Sequence, residues 1–331
     1  MYEIENYDHN CMTIDHNTGI LVKFKGSRHR KPVVKIPRGV TAIGPRAFAN
    51  SHRFTGVIIP ETVTSIKSAA FRNCPYLTRI KIPGSVKYIK EKAFELCENL
   101  RDVTIEEGVQ SIGDLAFSEC GSLTAVDLPD SIEYIGMEAF SACKGLRSFR
   151  IPKGVCDLKD TRLLDVPWIE RVEIDEDNAS YVLRDGVLFS RDLSYLLYYP
   201  KRKQDEVYTV PGTVRTIGRF AFASNKYLRE VILEDGVTRI MEGAFENCTY
   251  LTFVTIPPSV TDMGYMVFLG AVGAGNKNWR YPGLDIYDSI GKIIRTLNSI
   301  GTEEGVVIRG RKDSTAYEYA EKNGLYFIEM Q

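Results

Sequence analysis

The 331-residue sequence predicts an α/β solenoid of 23-residue coils with short parallel strands and a cap at each end. Three observations carry the core of that prediction. An apolar residue, usually followed by proline, returns every 23 residues; an Ala-Phe pair keeps the same step; and the residues before each proline alternate as a strand does.

The step runs through Ile36, Ile59, Ile82, Ile105, Leu128, Ile151 and Ile174, and resumes at Val210, Leu233 and Ile256. Phe48, Phe71, Phe94, Phe117, Phe140, Phe222, Phe245 and Phe268 follow it. A period of this length lies in the range of leucine-rich repeats. The unit reads Ile-Pro-x-x-Val-x-x-Ile-x-x-x-Ala-Phe-x-x-Cys-x-x-Leu-x-x-Val-x-Ile. In "LTRIKIP", Ile80 and Ile82 share one face and Lys81 points the other way,. Proline then ends the pairing. In "KEKAFELC", Ala93, Phe94 and Cys97 are spaced as on one turn of helix,. Each coil is therefore expected to be a strand, a return segment and one helical turn.

Burying a large apolar side chain contributes roughly 1.5–3 kcal/mol, and ordering a residue costs about 1.5 kcal/mol. A lone coil with both flat faces wet does not fold; stacked coils shelter one another. That physical need explains the repetition.

The expected organisation is an N-terminal β cap over 1–35, coils over 36–174, a β-hairpin insertion or restart over 175–209, coils over 210–268, and a loop, helix and cap over 269–331. Asp185-Gly186 between two β-rich runs is the hairpin signal of the insertion. Ile290, Ile293, Ile294 and Leu297 suggest an amphipathic helix. In the tail, Asp313 or Ser314 would cap a helix that Gly324 ends.

Composition is that of a folded domain, 44% hydrophobic and 26% charged, with a formal net charge of −1. That balance argues against wholesale nucleic-acid or membrane-surface binding, and no apolar run is long enough to span a bilayer. The N-terminus has no basic segment leading into an apolar one. The expected location is the cytoplasm as written, or the cell surface or medium if a leader precedes it.

The coils "IPRGVTAIGPRAF", "IPETVTSIKSAAF", "IPGSVKYIKEKAF", "LPDSIEYIGMEAF" and "VPGTVRTIGRFAF" resemble the BspA-type leucine-rich repeats. "DGVLFSRDLSYLLYYP" and "STAYEYAEKNGLYFIE" are similar to that family's accessory segments. The resemblance covers about residues 12–331 apart from roughly 269–305. It implies a right-handed solenoid with strands on the concave face. It also implies a non-enzymatic protein-binding role, often adhesion to host or extracellular-matrix proteins, with no catalytic residue or cofactor.

Local constellations read mostly as structure. Cys74, Cys97, Cys120, Cys143 and Cys248 share one repeat position, and a file of thiols suits small buried apolar spacers better than a tetrahedral metal site,. "GAVGAGNKN" misses the phosphate-loop rule, because Asn276 stands where lysine belongs. "IDEDNASY" begins like a calcium loop but breaks at Ala179 and Ser180. "SRHRK" reads as a solvated hairpin end or an anion site. A nucleotide-binding or enzymatic unit in 269–331 and a self-associating array are the alternatives to a scaffold.

The candidate site is the exposed strand position, Ile58, Lys81, Thr104, Asp127, Arg150, Glu173, Thr209, Ile232 and Thr255, flanked by Arg79, Asp102, Arg171, Glu230 and Phe253. These side chains are expected to form one strip of mixed charge with apolar spots at Ile58, Ile232 and Phe253. The expected partner is a protein.

Overall fold

The computed structural model describes residues 11–26, 33–158, 169–271 and 306–330, and the backbone of strands at 285–287 and 293–296. Apolar residues recur on the 23-residue step, and the chain uses that recurrence twice over: apolar side chains stack inward, and backbone groups pair from coil to coil. The result is a parallel β-solenoid of about 11 turns of ~23 residues, mostly strand with few helices. The chain divides into two compact units, Met1–Val182 and Leu183–Gln331.

In the first unit the residues leading up to the recurring isoleucine form Val33–Lys35, Gly56–Ile58, Arg79–Ile82 and Asp102–Ile105, four parallel strands in one sheet. Their register steps by one repeat, so Arg79 sits beside Asp102 and Lys81 beside Thr104. The Val-x-x-Ile stretch, expected only to return the chain, makes a second ladder of two-residue strands from Ala42–Ile43 through Ser65–Ile66, Tyr88–Ile89 and Ser111–Ile112 to Tyr134–Ile135.

The expected helical turn is not formed. In the segment around Phe71, Ala70 and Arg72 donate to Lys67 and Ala69 as three-residue turns (3.2 and 3.0 Å). The N–H groups between them, on Ala69, Phe71 and Asn73, donate to Glu91, Ala93 and Glu95 of the next coil (2.9, 2.7 and 2.7 Å). A helix would direct every one of these donors back to residue i−4. The geometry requires a left-handed residue on each side of the Ala-Phe pair, at Ala69 (φ 55°) and Asn73 (φ 55°), and the same pair recurs at Lys92 and Leu96 and at Leu115 and Glu119. Each non-glycine residue held there costs roughly 1–2 kcal/mol, offset by a hydrogen bond that ties one coil to the next.

The phenylalanines form the column that the 23-residue step demands. Phe48–Phe71, Phe71–Phe94, Phe94–Phe117 and Phe117–Phe140 have ring centroids 4.8, 5.1, 5.0 and 5.4 Å apart with planes within 14° of parallel. This spacing is that of adjacent strands. An antiparallel hairpin, Met12–Asp15 with Ile20–Phe24, starts the column by laying Phe24 on Phe48 at 4.9 Å.

The second unit repeats the device. Val187–Ser190 and Tyr195–Tyr198 pair antiparallel, and Tyr199 stacks on Phe222 at 5.0 Å. Asp185 and Gly186 both have positive φ (49° and 78°), as the tight hairpin turn requires,. Phe222, Phe245 and Phe268 continue the column. Its far end meets Tyr319 of the helix Thr315–Asn323, whose hydroxyl accepts from the Val267 N–H (3.0 Å). Ser314 caps that helix and Gly324 (φ 67°) ends it, as the sequence indicated. Among the described residues it is the only α-helix.

The amphipathic helix expected around Ile293 is corrected. Ile293–Thr296 is a strand, antiparallel to Asp285–Tyr287, consistent with the β-branched pair Ile293-Ile294. "SRHRK" and nearly all of "GAVGAGNKN" lie outside the described residues.

Candidate functional site

In the first unit the strand alternation presents Ile58, Arg79, Lys81, Asp102, Thr104 and Asp127 outward, and all six are exposed. Between them Ile80, Ile82, Val103 and Ile105 face the core. Backbone pairing fixes their spacing: Ile58 lies beside Lys81, Lys81 beside Thr104, and Thr104 bridges to Asp127. Ile58 is 41% exposed, an apolar spot among charges.

The strip carries its own ion pairs. Lys81 Nζ lies 2.5 Å from Glu106 Oε1; the contact raises the lysine pKa and lowers that of the carboxyl. Arg150 is only half-exposed and is clamped by Asp130 (3.1 Å) and Asp175 (2.6 Å), one residue from the coil before and one from the coil after. It therefore ties coils together and is not a free binding charge. Arg171 is exposed and pairs with Glu173 at 2.8 Å on its own strand.

In the second unit the corresponding face is closed where the sequence expected an apolar spot. Phe253 is fully buried, 0% exposed. The Arg309 guanidinium lies 3.9 Å from the centre of its ring and also meets Glu230 Oε1 at 2.5 Å. Arg309 comes from Val307–Gly310, which pairs in parallel with Phe253–Thr255. Ile232 and Thr255 are half-exposed, and Thr209 is exposed.

The cysteines are more than apolar spacers. Each thiol donates to the carbonyl of the phenylalanine one coil earlier: Cys74 to Phe48, Cys97 to Phe71, Cys143 to Phe117 (3.1 Å each), Cys120 to Phe94 (3.3 Å) and Cys248 to Phe222 (3.0 Å). All are free and buried. Burial pushes the Cys143 and Cys248 thiols up to about 12 and raises Cys120 well above the usual range. These are poor nucleophiles.

Among the described residues no group of three or more His, Cys, Asp or Glu side chains could hold a metal ion. The calcium-like start of "IDEDNASY" is instead a structural turn. Asp175 Oδ1 accepts from the Asp177 N–H (3.0 Å), and Asn178, fully buried, donates to the carbonyls of Pro152 and Val155. An open hollow of about 450 Å³ near the C-terminus is lined by Arg311, Lys312, Asp313, Glu329 and Met330. Its charges pair with one another, Arg311 with Asp313 and Lys312 with Glu329.

Comparison with known proteins agrees with this geometry. The model of the BspA type leucine rich repeat region matches residues 24–147, 110–181 and 203–272, in six copies. A leucine-rich repeat protein of Eubacterium ventriosum has a similar structure, with 23% identity over 85% of this chain and 75% of that one and a TM-score of 0.68. A leucine rich cell surface protein of Faecalibacterium prausnitzii is 25% identical over 92% of this chain and 100% of that one, TM-score 0.55. A leucine-rich repeat protein of Bacteroides ovatus is 20% identical over 97% and 98%, TM-score 0.53. No curated protein matches the chain. With its 23-residue coils, its aligned phenylalanines and a family match over more than half its length, the chain belongs to the BspA-type leucine-rich repeat family.

Proposed function

We propose that the chain is a non-enzymatic scaffold that binds another protein through the outward strip of the first unit. Leucine-rich repeat proteins generally mediate protein interactions, and the family is generally a non-enzymatic scaffold. The observation that carries the reading here is the row of exposed Ile58, Arg79, Lys81, Asp102, Thr104 and Asp127 on hydrogen-bonded strands. Side chains held at fixed spacing on a rigid sheet lose little ordering entropy when a partner arrives. A mixed-charge row with one apolar anchor favours a protein partner over a uniformly charged polymer. The Faecalibacterium relative is described as a cell surface protein, and a surface location with a host or matrix protein as partner is the setting we favour.

The test is affinity capture with the wild-type chain and with Arg79→Glu/Lys81→Glu, from cytoplasmic and host-derived extracts in parallel. Arg150 is left intact because its two carboxylates make it a structural clamp. The double variant should keep its melting temperature and lose its specific partner. Capture of the same proteins by both chains would remove the strip from consideration.

A further inference from the structure

The net charge of −1 hides a segregation. Between Cys11 and Lys81 the sequence has 13 Lys and Arg against two Asp and Glu; between Asp102 and Cys143 it has nine Asp and Glu and no Lys or Arg. In a solenoid, segregation along the sequence becomes segregation along the stack.

The pattern is sharpest on the turn segments that carry the Ala-Phe pairs. These segments stack in register, with Phe48, Phe71, Phe94 and Phe117 donating to the next coil at 2.7–2.8 Å, so equivalent side chains stand one strand spacing apart. Segment 44–51 carries Arg46; 67–74 carries Lys67 and Arg72; 90–97 carries two cations and two anions; 113–120 carries Asp114 and Glu119; 136–143 carries Glu138. The formal charges run +1, +2, 0, −2, −1. Arg46, Asp114 and Glu119 are exposed, and Lys67, Arg72 and Glu138 half-buried. Arg72 spends its charge on Glu95 of the neutral segment, whereas Arg46, Lys67 and Glu119 have no ion pair among the described residues.

We propose that this face docks a second copy of the chain, antiparallel and side by side, about a two-fold axis through segment 90–97. A two-fold contact presents the same patch twice. A face whose charge reverses sign about its midpoint is complementary to itself under that rotation, with 44–51 meeting 136–143 and 67–74 meeting 113–120. An acidic foreign partner would account for the basic coils and leave the uninterrupted acidic coils without a role. One self-contact accounts for both. Met137, 50% exposed, lies among the acidic coils and supplies apolar area at the contact. The inference does not rest on the outward strand strip, which occupies another segment of each coil.

The experiment is sedimentation velocity of the full chain over a concentration series at about 50 mM and about 500 mM sodium chloride. The wild type should dimerise at low salt, with a dissociation constant at least roughly tenfold weaker at high salt, because exposed charges are screened within a few ångströms there. Arg46→Glu/Lys67→Glu and Glu119→Lys/Glu138→Lys should each sediment as monomers, and their equimolar mixture should recover a dimer. Circular dichroism melts confirm that each variant is folded; if a double variant is not, the single changes Arg46→Glu and Glu119→Lys are mixed instead. A wild type that stays monomeric, a dimer indifferent to salt, or a mixture that stays monomeric each overturns the proposal. So does a monomeric wild type that binds polyglutamate, which would give the basic coils to a foreign acidic chain.

Discussion

The two units start alike and finish differently. Each opens with an antiparallel hairpin that places an aromatic ring, Phe24 or Tyr199, on top of a phenylalanine column. In the first unit the outward strand face stays open, with Ile58 exposed beside Lys81. In the second, Arg309 reaches back across the sheet, covers Phe253 and pairs with Glu230. One coil grammar therefore yields an open face or a closed one, depending on which element follows the last coil.

The largest expected effect comes from breaking what the units share. Phe94→Ala removes a fully buried ring from the middle of the first column and should cost about 3–5 kcal/mol in urea unfolding. A loss well under 1 kcal/mol would mean that the coils are held by backbone pairing alone. Next comes the closure of the second unit. Arg309→Ala uncovers Phe253 and leaves Glu230 without its guanidinium, both groups of the pair being 22% exposed; about 1–2 kcal/mol should be lost. Binding of an apolar dye to the variant and not to the wild type would sharpen the contrast between open and closed faces.

The thiols set a pH limit in both units. Cys143 and Cys248 have an ordinary value near 9 when exposed and about 12 when folded. The folded state then holds protons that the unfolded state releases, so their contribution is complete below pH 9 and is lost as pH rises from about 9 towards about 12. Stability of the wild type should fall across that window, less steeply in Cys143→Ala/Cys248→Ala; equal slopes would show that the thiols do not report the packing. The smallest effect is a gain. Gly270 holds a left-handed turn position in the second unit, and the first unit holds Ala142 at the same repeat position with φ 56°. Ala142→Gly should stabilise by roughly 0.5–1 kcal/mol, the relief of the left-handed strain exceeding glycine's entropic cost.

Much of this architecture can be read from the sequence, because a 23-residue step dictates stacked coils and the Ile-x-Ile alternation dictates which strand residues point outward. The turn segment misleads for a physical reason: Ala93, Phe94 and Cys97 return to one side in consecutive tight turns as they do in a helix. The discriminating signal was present in Asn50, Asn73, Asn247 and Gly270, residue types that tolerate the left-handed region, recurring at one repeat position,. The thiol donors follow a subtler hint, since Asn225, itself a donor, stands in the cysteine's place one coil before Cys248. The closing of Phe253 had no local signature, because Arg309 lies far along the chain and meets the ring only once the sheet is built. Charge segregation escapes a whole-chain total by construction.

The forward donation from one turn segment to the next has a consequence for how such a molecule changes over time. Excision of Ile82–Thr104 would remove one layer and bring Phe71 and Asn73 opposite Ala116 and Ser118, the same kinds of acceptor they already use. Removal of three or four residues would put the donors of the shortened coil opposite the wrong atoms of the next. The length of this protein is in that sense quantised: it can be lengthened or shortened by duplication and loss of whole layers, and hardly at all by smaller steps.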